Sequence, residues 1–194
     1  MTRENTKEKI LAHAALIIRQ KGFNNTGIQE LLRAAGVPKG SFYFYFKSKD
    51  DLGLALIDYY GEFFAALSES SLRNQEIPPL QRLEKFFEAR RLLFEQDSSM
   101  SGCPIGNLAQ EMGSLNDAFQ AKLQRVLNGM QSAIRECVEQ ALERGEIHAN
   151  LDPEETAHFI LNSWEGALLR MKADRSSEPL VLFEKMVFGR VLKR

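Results

Sequence analysis

Helical periodicity is the feature that most limits what this sequence can fold into. Apolar residues recur three and four positions apart in one segment after another, the spacing that places them on a single face of an α-helix. Sustained apolar–polar alternation does not occur, nor do runs rich in Val, Ile and Thr between turn residues, so no segment favours a β-strand. The sequence therefore predicts an all-α fold of about nine helices.

Charge separates the amino-terminal part of the chain from the rest. The 194 residues carry a net charge of -1, which taken alone argues against a nucleic-acid-binding protein. Residues 1–50, however, hold nine basic and four acidic side chains, a net charge of +5. The other 144 residues hold 16 basic and 22 acidic ones, a net charge of -6. We therefore predict two domains, 1–50 and 51–194, of which the first approaches phosphates.

Two short helices separated by a tight turn are predicted within residues 1–50. Thr26 and Gln29 form a capping box that starts the first of them, and Gly36 ends it after about eight residues. Pro38 occupies a first-turn position in which its missing N–H group costs nothing, so it starts the next helix, about 38–45. Together with the amphipathic helix that precedes them, these elements form a helix-turn-helix.

A long helix follows directly. Ser48 and Asp51 form a second capping box, which predicts a helix over residues 48–72 and limits the preceding helix to about two turns. Tyr59 and Phe63 fall on the apolar stripe of this helix and are predicted to be buried.

The residues around the third helix resemble those of a known family. The string GVPKGSFYFYFKSKDDL, residues 36–52, is similar to the DNA-binding head of the TetR (tetracycline repressor) family. Members typically show Gly-Val-x-Lys-Gly-Ser-hydrophobic-Tyr-x-Tyr/His-Phe-x-Ser/Asn-Lys at this distance from the start. The sequence departs from many relatives at Phe44, where they have His, Tyr or Trp, so a hydrogen bond made there is absent. The resemblance implies a transcriptional regulator, mostly a repressor, that binds a double-stranded DNA operator and responds to a small-molecule effector.

A recognition helix in the major groove directs its first residues at the base edges. We therefore predict that Lys39 donates to guanine, that Gly40 permits close approach and that Ser41 pairs with either kind of base. Phe42 and Phe46 are predicted to face the core. The residues predicted to contact bases or phosphates are Thr26, Gly27, Gln29, Lys39, Gly40, Ser41, Tyr43, Phe44, Tyr45 and Lys49.

The last two helices carry more apolar surface than one core requires. Asp152 and Pro153 provide a strong start for the first of them, and the second spans about 178–192. Both are apolar on more than one side, which indicates a partner surface. In the TetR family the corresponding pair forms a four-helix bundle with its symmetry mate. The resemblance therefore implies a homodimer through these helices that binds a palindromic operator.

Cys103 is the residue within 51–194 whose sequence context best fits a reactive side chain. It precedes Pro104 at the start of a predicted helix, where amide groups and the helix dipole favour a thiolate. The string SGCPIGNLAQE resembles a segment of the NemR-type electrophile-sensing repressors, in which a Lys lies near the sensor cysteine, and Lys172 falls in the similar stretch. The alternative is that Cys103 is a small buried apolar residue, as we predict for Cys137.

A reversibly bound effector would instead occupy a pocket among the helices of residues 51–194. Trp164, Cys103 and Lys172 are the residues predicted to sense an effector or a redox change. The candidate lining residues are Phe86, Arg90, Phe94, Met112, Met130 and Trp164, for each of which plain core packing is the preferred interpretation.

Catalytic and metal-binding motifs are lacking. His13, His148 and His158 lie on different predicted helices, no hydrolase or nucleotide-binding motif occurs, and two isolated cysteines do not make a metal site. We therefore predict a regulator that is not an enzyme and has no cofactor or metal. Two alternatives stay open: a thiol-dependent enzyme that uses Cys103, and an interaction module that binds DNA without sequence preference.

The expected location follows from what the sequence does not carry. No apolar run reaches the length of a membrane span, so no membrane partner is predicted. The amino terminus lacks the apolar region of a secretory signal, and two cysteines do not make a disulfide framework. We therefore predict a cytoplasmic protein, and the TetR resemblance implies that it is associated with the bacterial nucleoid.

Overall fold

The computed structural model describes residues 3–96 and 100–193. Within these residues the chain forms nine α-helices and no β-strand, which confirms the all-α prediction. None of the described helices has both the length and the apolar character needed to cross a membrane. The helices are α1 (Arg3–Lys21), α2 (Ile28–Ala35), α3 (Lys39–Tyr45), α4 (Lys49–Ser71), α5 (Pro79–Gln96), α6 (Pro104–Met112), α7 (Asp117–Glu143), α8 (Pro153–Asp174) and α9 (Glu178–Met186), followed by a π-helical turn, Val187–Val191.

Local signals fix several helix ends where the sequence predicts them. Gly36 adopts the left-handed conformation (φ 61°, ψ 39°), and the amides of Gly36 and Val37 donate to carbonyls in the last turn of α2. The chain therefore turns sharply from α2 into α3. Near the other end of the chain, the Asp152 carboxylate accepts a 2.8 Å hydrogen bond from the Glu155 amide and caps α8 as predicted.

The predicted capping box of Thr26 and Gln29 is wrong. Thr26 is buried, and its hydroxyl donates a 2.7 Å hydrogen bond to the Gly22 carbonyl instead of accepting one from the first turn of α2. Gly27 precedes α2, and no side chain of the described residues caps it. The prediction fails because the carbonyls at the end of α1 also need donors, and the Thr26 hydroxyl lies within reach of one.

The second predicted capping box is confirmed on the serine side. The Asp51 amide donates a 3.1 Å hydrogen bond to Ser48 Oγ, so Ser48 caps the start of α4. The Asp51 carboxylate accepts its hydrogen bond from the Lys47 amide, at 2.9 Å, one residue before the position that a capping box requires.

The buried face of α4 is rotated from the one predicted. Tyr59 and Phe63 are 40% and 56% exposed, whereas Tyr60 and Phe64 are buried. The Tyr60 hydroxyl donates a 3.0 Å hydrogen bond to the Ala15 carbonyl, which a partly polar ring needs when it is buried. The prediction of a buried Tyr59 and Phe63 is wrong because two adjacent aromatic pairs fit the helical period almost equally well, and only tertiary packing selects between them.

The chain divides into two compact units. The first comprises Met1–Glu62 with Pro104–Val126, and the second comprises Phe63–Cys103 with Leu127–Arg194. In the first unit the buried rings of Phe23 and Phe119 lie with their centroids 5.4 Å apart. A Cβ atom at Gly53 would lie 2.5 Å from Phe119 Cζ and 2.7 Å from Phe23 Cε2, so only glycine fits at this point of α4.

The second unit is built around Trp164. Its indole is buried, with its ring centroid 5.1 Å from that of Phe87 on α5 and 5.1 Å from that of Phe183 on α9. Phe94 lies 6.4 Å away in the same cluster. Contacts of this kind add to the large apolar area that each ring buries, so the cluster holds α5, α8 and α9 together.

Candidate functional site

An open groove of about 650 Å³ lies in the first unit, where the first residues of α2, α3 and α4 meet. We refer to it as the head groove. It brings together six of the ten residues predicted to contact DNA, whereas Gly40, Ser41, Phe44 and Tyr45 do not line it. Its lining residues are Asn24, Asn25, Thr26, Gly27, Ile28, Gln29, Lys39, Tyr43 and Lys49.

Lys49 is held at the edge of the head groove. Its ammonium donates a 3.2 Å hydrogen bond to the Asn24 carbonyl and lies 4.8 Å from the ring centroid of Phe23. A cation over an aromatic face is attracted by the ring quadrupole. These contacts position a positive charge beside the loop between α1 and α2.

Glu111, on α6, also holds this loop. Its two carboxylate oxygens accept hydrogen bonds from the Phe23 amide at 2.9 Å and the Asn24 amide at 2.8 Å. Gly22, with φ 87°, leaves room for this carboxylate, because a Cβ atom there would lie 3.0 Å from Glu111 Oε1. Glu111 and Asn24 could not be predicted as part of the site, because these contacts join residues 87 and 88 positions apart. Asn25 also lines the groove without having been predicted.

The exposed residues of α3 are those that the sequence assigns to DNA. Tyr43 is 52% and Phe44 65% exposed, while Phe42 and Phe46 are buried with ring centroids 5.5 Å apart, which confirms the predicted core. Gly40 is exposed, and a Cβ atom placed on it would meet no atom within 4 Å. Ser41 and Tyr45 are half-buried. The helix therefore leaves the start of its first turn and two aromatic rings exposed.

The hydroxyl of Thr26, which the sequence predicts to contact DNA, already has a hydrogen-bond partner within the protein. It lines the head groove, but it is buried and already donates to the Gly22 carbonyl. Gln29, Lys39 and Gly27 are exposed along the same groove. The first amides of α2 have no acceptor within the helix, so this end of the helix favours a negatively charged oxygen.

A second cluster of polar residues lies in the second unit and includes Cys103. Cys103 is buried and donates a hydrogen bond from its thiol to the Glu165 carboxylate. Burial raises the pKa of Glu165, while this hydrogen bond and the charge of Arg90 lower it. Lys172, which the resemblance placed near the thiol, is exposed in the last turn of α8. Glu165 could not be predicted as the partner of Cys103, because it is 62 positions away in the chain.

Arg90 is the cation of this cluster. The carbon at the centre of its guanidinium lies 5.0 Å from the ring centroid of Phe64 and 5.6 Å from that of Phe86. Burial lowers the pKa of Arg90, and the charges of Cys103 and Glu165 raise it. Of the other candidate lining residues, Phe94 and Trp164 are buried and Met130 is half-buried in the second unit, and Met112 is buried in the first.

Cys137 differs from Cys103 in its surroundings. It is buried, as predicted, and its sulfur donates a 3.2 Å hydrogen bond to the Pro79 carbonyl. Burial raises the pKa of its thiol to about 11. Cys137 is therefore a core residue with an unreactive thiol. Among the residues that the structure describes, no three His, Cys, Asp or Glu side chains lie together as a metal site.

Two family models match the chain. The model described as "Bacterial regulatory proteins, tetR family" matches residues 10–56, which include the head groove and α3. The model described as "Tetracyclin repressor-like, C-terminal domain" matches residues 79–187.

Curated relatives match along nearly the whole chain. The transcriptional regulator AcuR of Cereibacter sphaeroides is 40% identical over 186 residues, covering 93% of this chain and 84% of AcuR. The HTH-type transcriptional repressor DhaR of a Mycobacterium species is 33% identical over 195 residues, covering 99% of this chain and 95% of DhaR. The HTH-type transcriptional repressor NemR of Escherichia coli is 31% identical over 180 residues, covering 92% and 90%.

Solved structures show the same fold. The crystal structure of a regulatory protein TetR from Rhodobacter sphaeroides superposes with a TM-score of 0.89 at 37% identity, covering 95% of this chain and 97% of that one. The reduced form of Escherichia coli NemR gives a TM-score of 0.88 at 28% identity, covering 94% and 95%. Because the two family models and these relatives together match nearly the whole chain, the chain belongs to the TetR family of bacterial transcriptional regulators.

Proposed function

We propose that this DNA-binding regulator is a repressor that binds a palindromic operator as a homodimer and is released by a small-molecule or thiol-reactive effector. Two relatives that match most of the chain, DhaR and NemR, are named as repressors. In this proposal residues 1–50 bind DNA, and residues 51–194 bind the effector and dimerise. The protein acts in the cytoplasm, at the nucleoid.

The observation that carries the DNA-binding part is the convergence of Gln29, Lys39 and Lys49 on the head groove. Lys39 begins α3, so its ammonium reaches guanine O6 and N7 when the start of α3 enters the major groove. Gln29 lies in the first turn of α2 and matches the donor and acceptor of adenine. Lys49 meets a phosphate, and Phe44 packs on a thymine methyl group.

Selection of bound fragments from random double-stranded DNA tests this assignment. We expect a palindrome whose half-sites lie about one helical turn, or a multiple of it, apart. Lys39→Ala should relax the preference at one position of each half-site while the protein still binds DNA. Lys85→Ala, which removes an exposed lysine from α5, is the matched control and should leave the selected sequence unchanged. Binding without any enriched sequence would refute the repressor and support an interaction module.

The proposed homodimer is supported by exposed apolar side chains of α8 and α9. Leu169, Val181, Leu182 and Met186 each leave roughly half of their surface exposed. Apolar patches of this kind on a single chain indicate a protein partner. An isologous interface would place the same patch of a second copy against them, and the two heads would then follow the two-fold symmetry of a palindrome.

Sedimentation equilibrium of charged variants tests the dimer surface. Leu182→Glu should give a monomer with unchanged helical content and a weakened affinity for a palindromic site. Leu93→Glu places the same charge at an equally exposed leucine on α5 and should leave the dimer intact. A Leu182→Glu variant that sediments as the wild type does would exclude this surface.

Release by an effector requires a change in the spacing between the two DNA-binding regions of the dimer. Successive major grooves on one face of DNA lie about 34–36 Å apart, so an effector that binds better to a form with another spacing weakens operator binding. Cys103, Lys172 and Trp164 are the proposed sensing residues. If thiol modification is the signal, Cys103→Ser should stay bound to the operator in the presence of an alkylating agent that releases the wild type. Release of both proteins alike would remove the thiol from the proposal.

A further inference from the structure

Arg90, on α5 in the second unit, is a buried cation without a hydrogen-bond acceptor in the described part of the chain. Only 8% of its surface is exposed, and among residues 3–96 and 100–193 its guanidinium donates no hydrogen bond and forms no ion pair. Burying a charge is costly unless the charge is paired and hydrogen-bonded. The guanidinium therefore has no hydrogen-bond acceptor among the described residues, although none of its nitrogens is fully closed to solvent.

Arg82, on the same helix, has acceptors for its two terminal nitrogens, although its Nε is buried without a partner among the described residues. It is also buried, and its two terminal nitrogens donate to the Leu72 carbonyl at 2.7 Å and to Gln140 Oε1 at 2.6 Å. These bonds give Arg82 a structural role. Arg90 lies about two turns further along the same helix and has no comparable acceptors among the described residues.

The rings around Arg90 restrict what can bind to it. Phe64 and Phe86 lie within 5.0 Å and 5.6 Å of the guanidinium carbon. The five N–H groups of a guanidinium lie in its plane and form a fork that matches two oxygens of one planar group. The rings hold the cation and supply apolar surface, and the N–H groups need an oxygen ligand.

Glu165 and Cys103 interact with the charge of Arg90 but do not satisfy its donors. The thiol donates to Glu165, and Glu165 Oε1 is closed to solvent and accepts no hydrogen bond from the described residues. The cluster thus holds a cation without an acceptor and a carboxylate oxygen without a donor, which do not pair with each other. A small ligand that supplies an acceptor would satisfy the donors of Arg90.

We propose that the cluster of Arg90, Glu165, Phe64 and Phe86 binds the effector, and that this effector is a small organic monocarboxylate whose carboxylate accepts hydrogen bonds from Arg90. The inference rests on the proposed effector-released repressor and specifies its ligand. A carboxylate fits the guanidinium fork with two parallel hydrogen bonds. A dianion such as phosphate is disfavoured because Glu165 contributes negative charge to the same site, and the two phenylalanine rings suit an apolar organic part.

Titration calorimetry of the full chain tests the ligand class. The probes are sodium butyrate and sodium benzoate, compared with butyramide, benzamide and inorganic phosphate at equal ionic strength. We expect the carboxylates to bind at least about tenfold more tightly than the amides, because a hydrogen bond to a charged group is stronger than one to a neutral group. Phosphate should bind more weakly than either carboxylate.

Variants of the two buried arginines test the assignment of the residue. Arg90→Met, of similar volume, should lose carboxylate affinity by at least about tenfold, and Arg82→Met should keep it although it unfolds at a lower temperature. Arg90→Lys retains the charge without the fork and should also weaken binding, so it replaces Arg90→Met if that variant does not fold. Glu165→Gln should tighten carboxylate binding because it removes a negative charge from the site.

The outcomes separate this inference from the proposed function. Amides that bind as tightly as carboxylates, an Arg90→Lys variant with wild-type affinity, or failure of every probe to bind would each overturn the carboxylate site. The palindrome selection does not depend on these probes. A protein that selects a palindrome but binds no carboxylate would lose only the site, whereas one that binds carboxylates but selects no sequence would lose the repressor function.

Discussion

The Gly40→Ala substitution should affect the thermal stability of the protein and its affinity for DNA in different ways. Gly40 lies in the first turn of α3, and a Cβ atom there would meet no atom of the protein within 4 Å. Alanine is favoured over glycine in a helix by about 0.5–1 kcal/mol, less near a terminus, so the variant should be as stable as the wild type or slightly more so. For a chain of this length that gain raises the midpoint of thermal unfolding by about 1–4 °C.

The same methyl group should lower the affinity of the protein for its operator. If α3 approaches the base edges through Gly40, a Cβ atom forces the helix to retreat and lengthens the hydrogen bonds of Lys39. Losing one such base contact costs about 1–3 kcal/mol, which is a factor of about 5 to 150 in operator affinity. The expected result is therefore a variant with unchanged or higher thermal stability and a much weaker operator complex.

Thermal unfolding and operator titration at fixed salt, on the same preparations, provide the test. Gly129→Ala is the matched control, because Gly129 is exposed within α7 and a Cβ atom there also meets nothing within 4 Å. It should raise the unfolding midpoint by a similar amount and leave operator affinity unchanged. Equal operator affinity in Gly40→Ala and the wild type would refute the placement of α3 in the major groove with this turn against the bases.

Four further predictions concern the packing, the loop, the thiols and the phosphate contacts. Gly53→Ala should be less stable than Gly129→Ala by about 1–3 kcal/mol in thermal unfolding, because its methyl group overpacks two buried rings. Glu111→Gln should lower stability by about 1–3 kcal/mol and weaken operator binding, because it replaces a charged acceptor of two loop amides with a neutral one. In a Cys103→Ser variant, Cys137 should resist alkylation at pH 7.5, since a pKa of about 11 leaves fewer than about one thiol in a thousand ionised. Lys49→Ala should weaken binding to all DNA sequences alike and flatten the salt dependence of the affinity in filter-binding titrations.

Each of these predictions has an outcome that contradicts it. An equally stabilised Gly53→Ala would mean that the packing of its two ring neighbours adjusts without strain. Full operator affinity in Glu111→Gln would mean that the loop keeps its conformation without the carboxylate. Rapid alkylation of Cys137 in folded protein would show that its thiol is accessible, and a sequence-dependent loss of affinity in Lys49→Ala would assign that lysine to a base instead of a phosphate.

Features fixed by neighbouring residues could be predicted from the sequence. Gly36 ends α2 and Asp152 caps α8 because the groups that they satisfy lie within a few residues of them. Phe42 and Phe46 could be assigned to the core because their spacing of four places both rings on one side of α3. The same local reasoning identified most of the residues that line the head groove.

Features that depend on distant residues could not be predicted in this way. The choice of Tyr60 over Tyr59 for burial depends on a hydrogen bond to a carbonyl of α1, 45 positions away. Thr26 has a local alternative to capping, and the geometry of the preceding turn decides between the two. Glu165 gave no signal in the sequence, because an isolated glutamate on an amphipathic helix is normally a solvated residue.

The position of the single tryptophan gives this regulator a built-in optical reporter. Trp164 is the only indole in the chain, and it is buried between aromatic rings in the second unit. Its emission therefore reports the packing of the second unit. A change in emission when operator is added would measure how far an event at the head alters the packing around α8, without any label and under the conditions of the DNA titration.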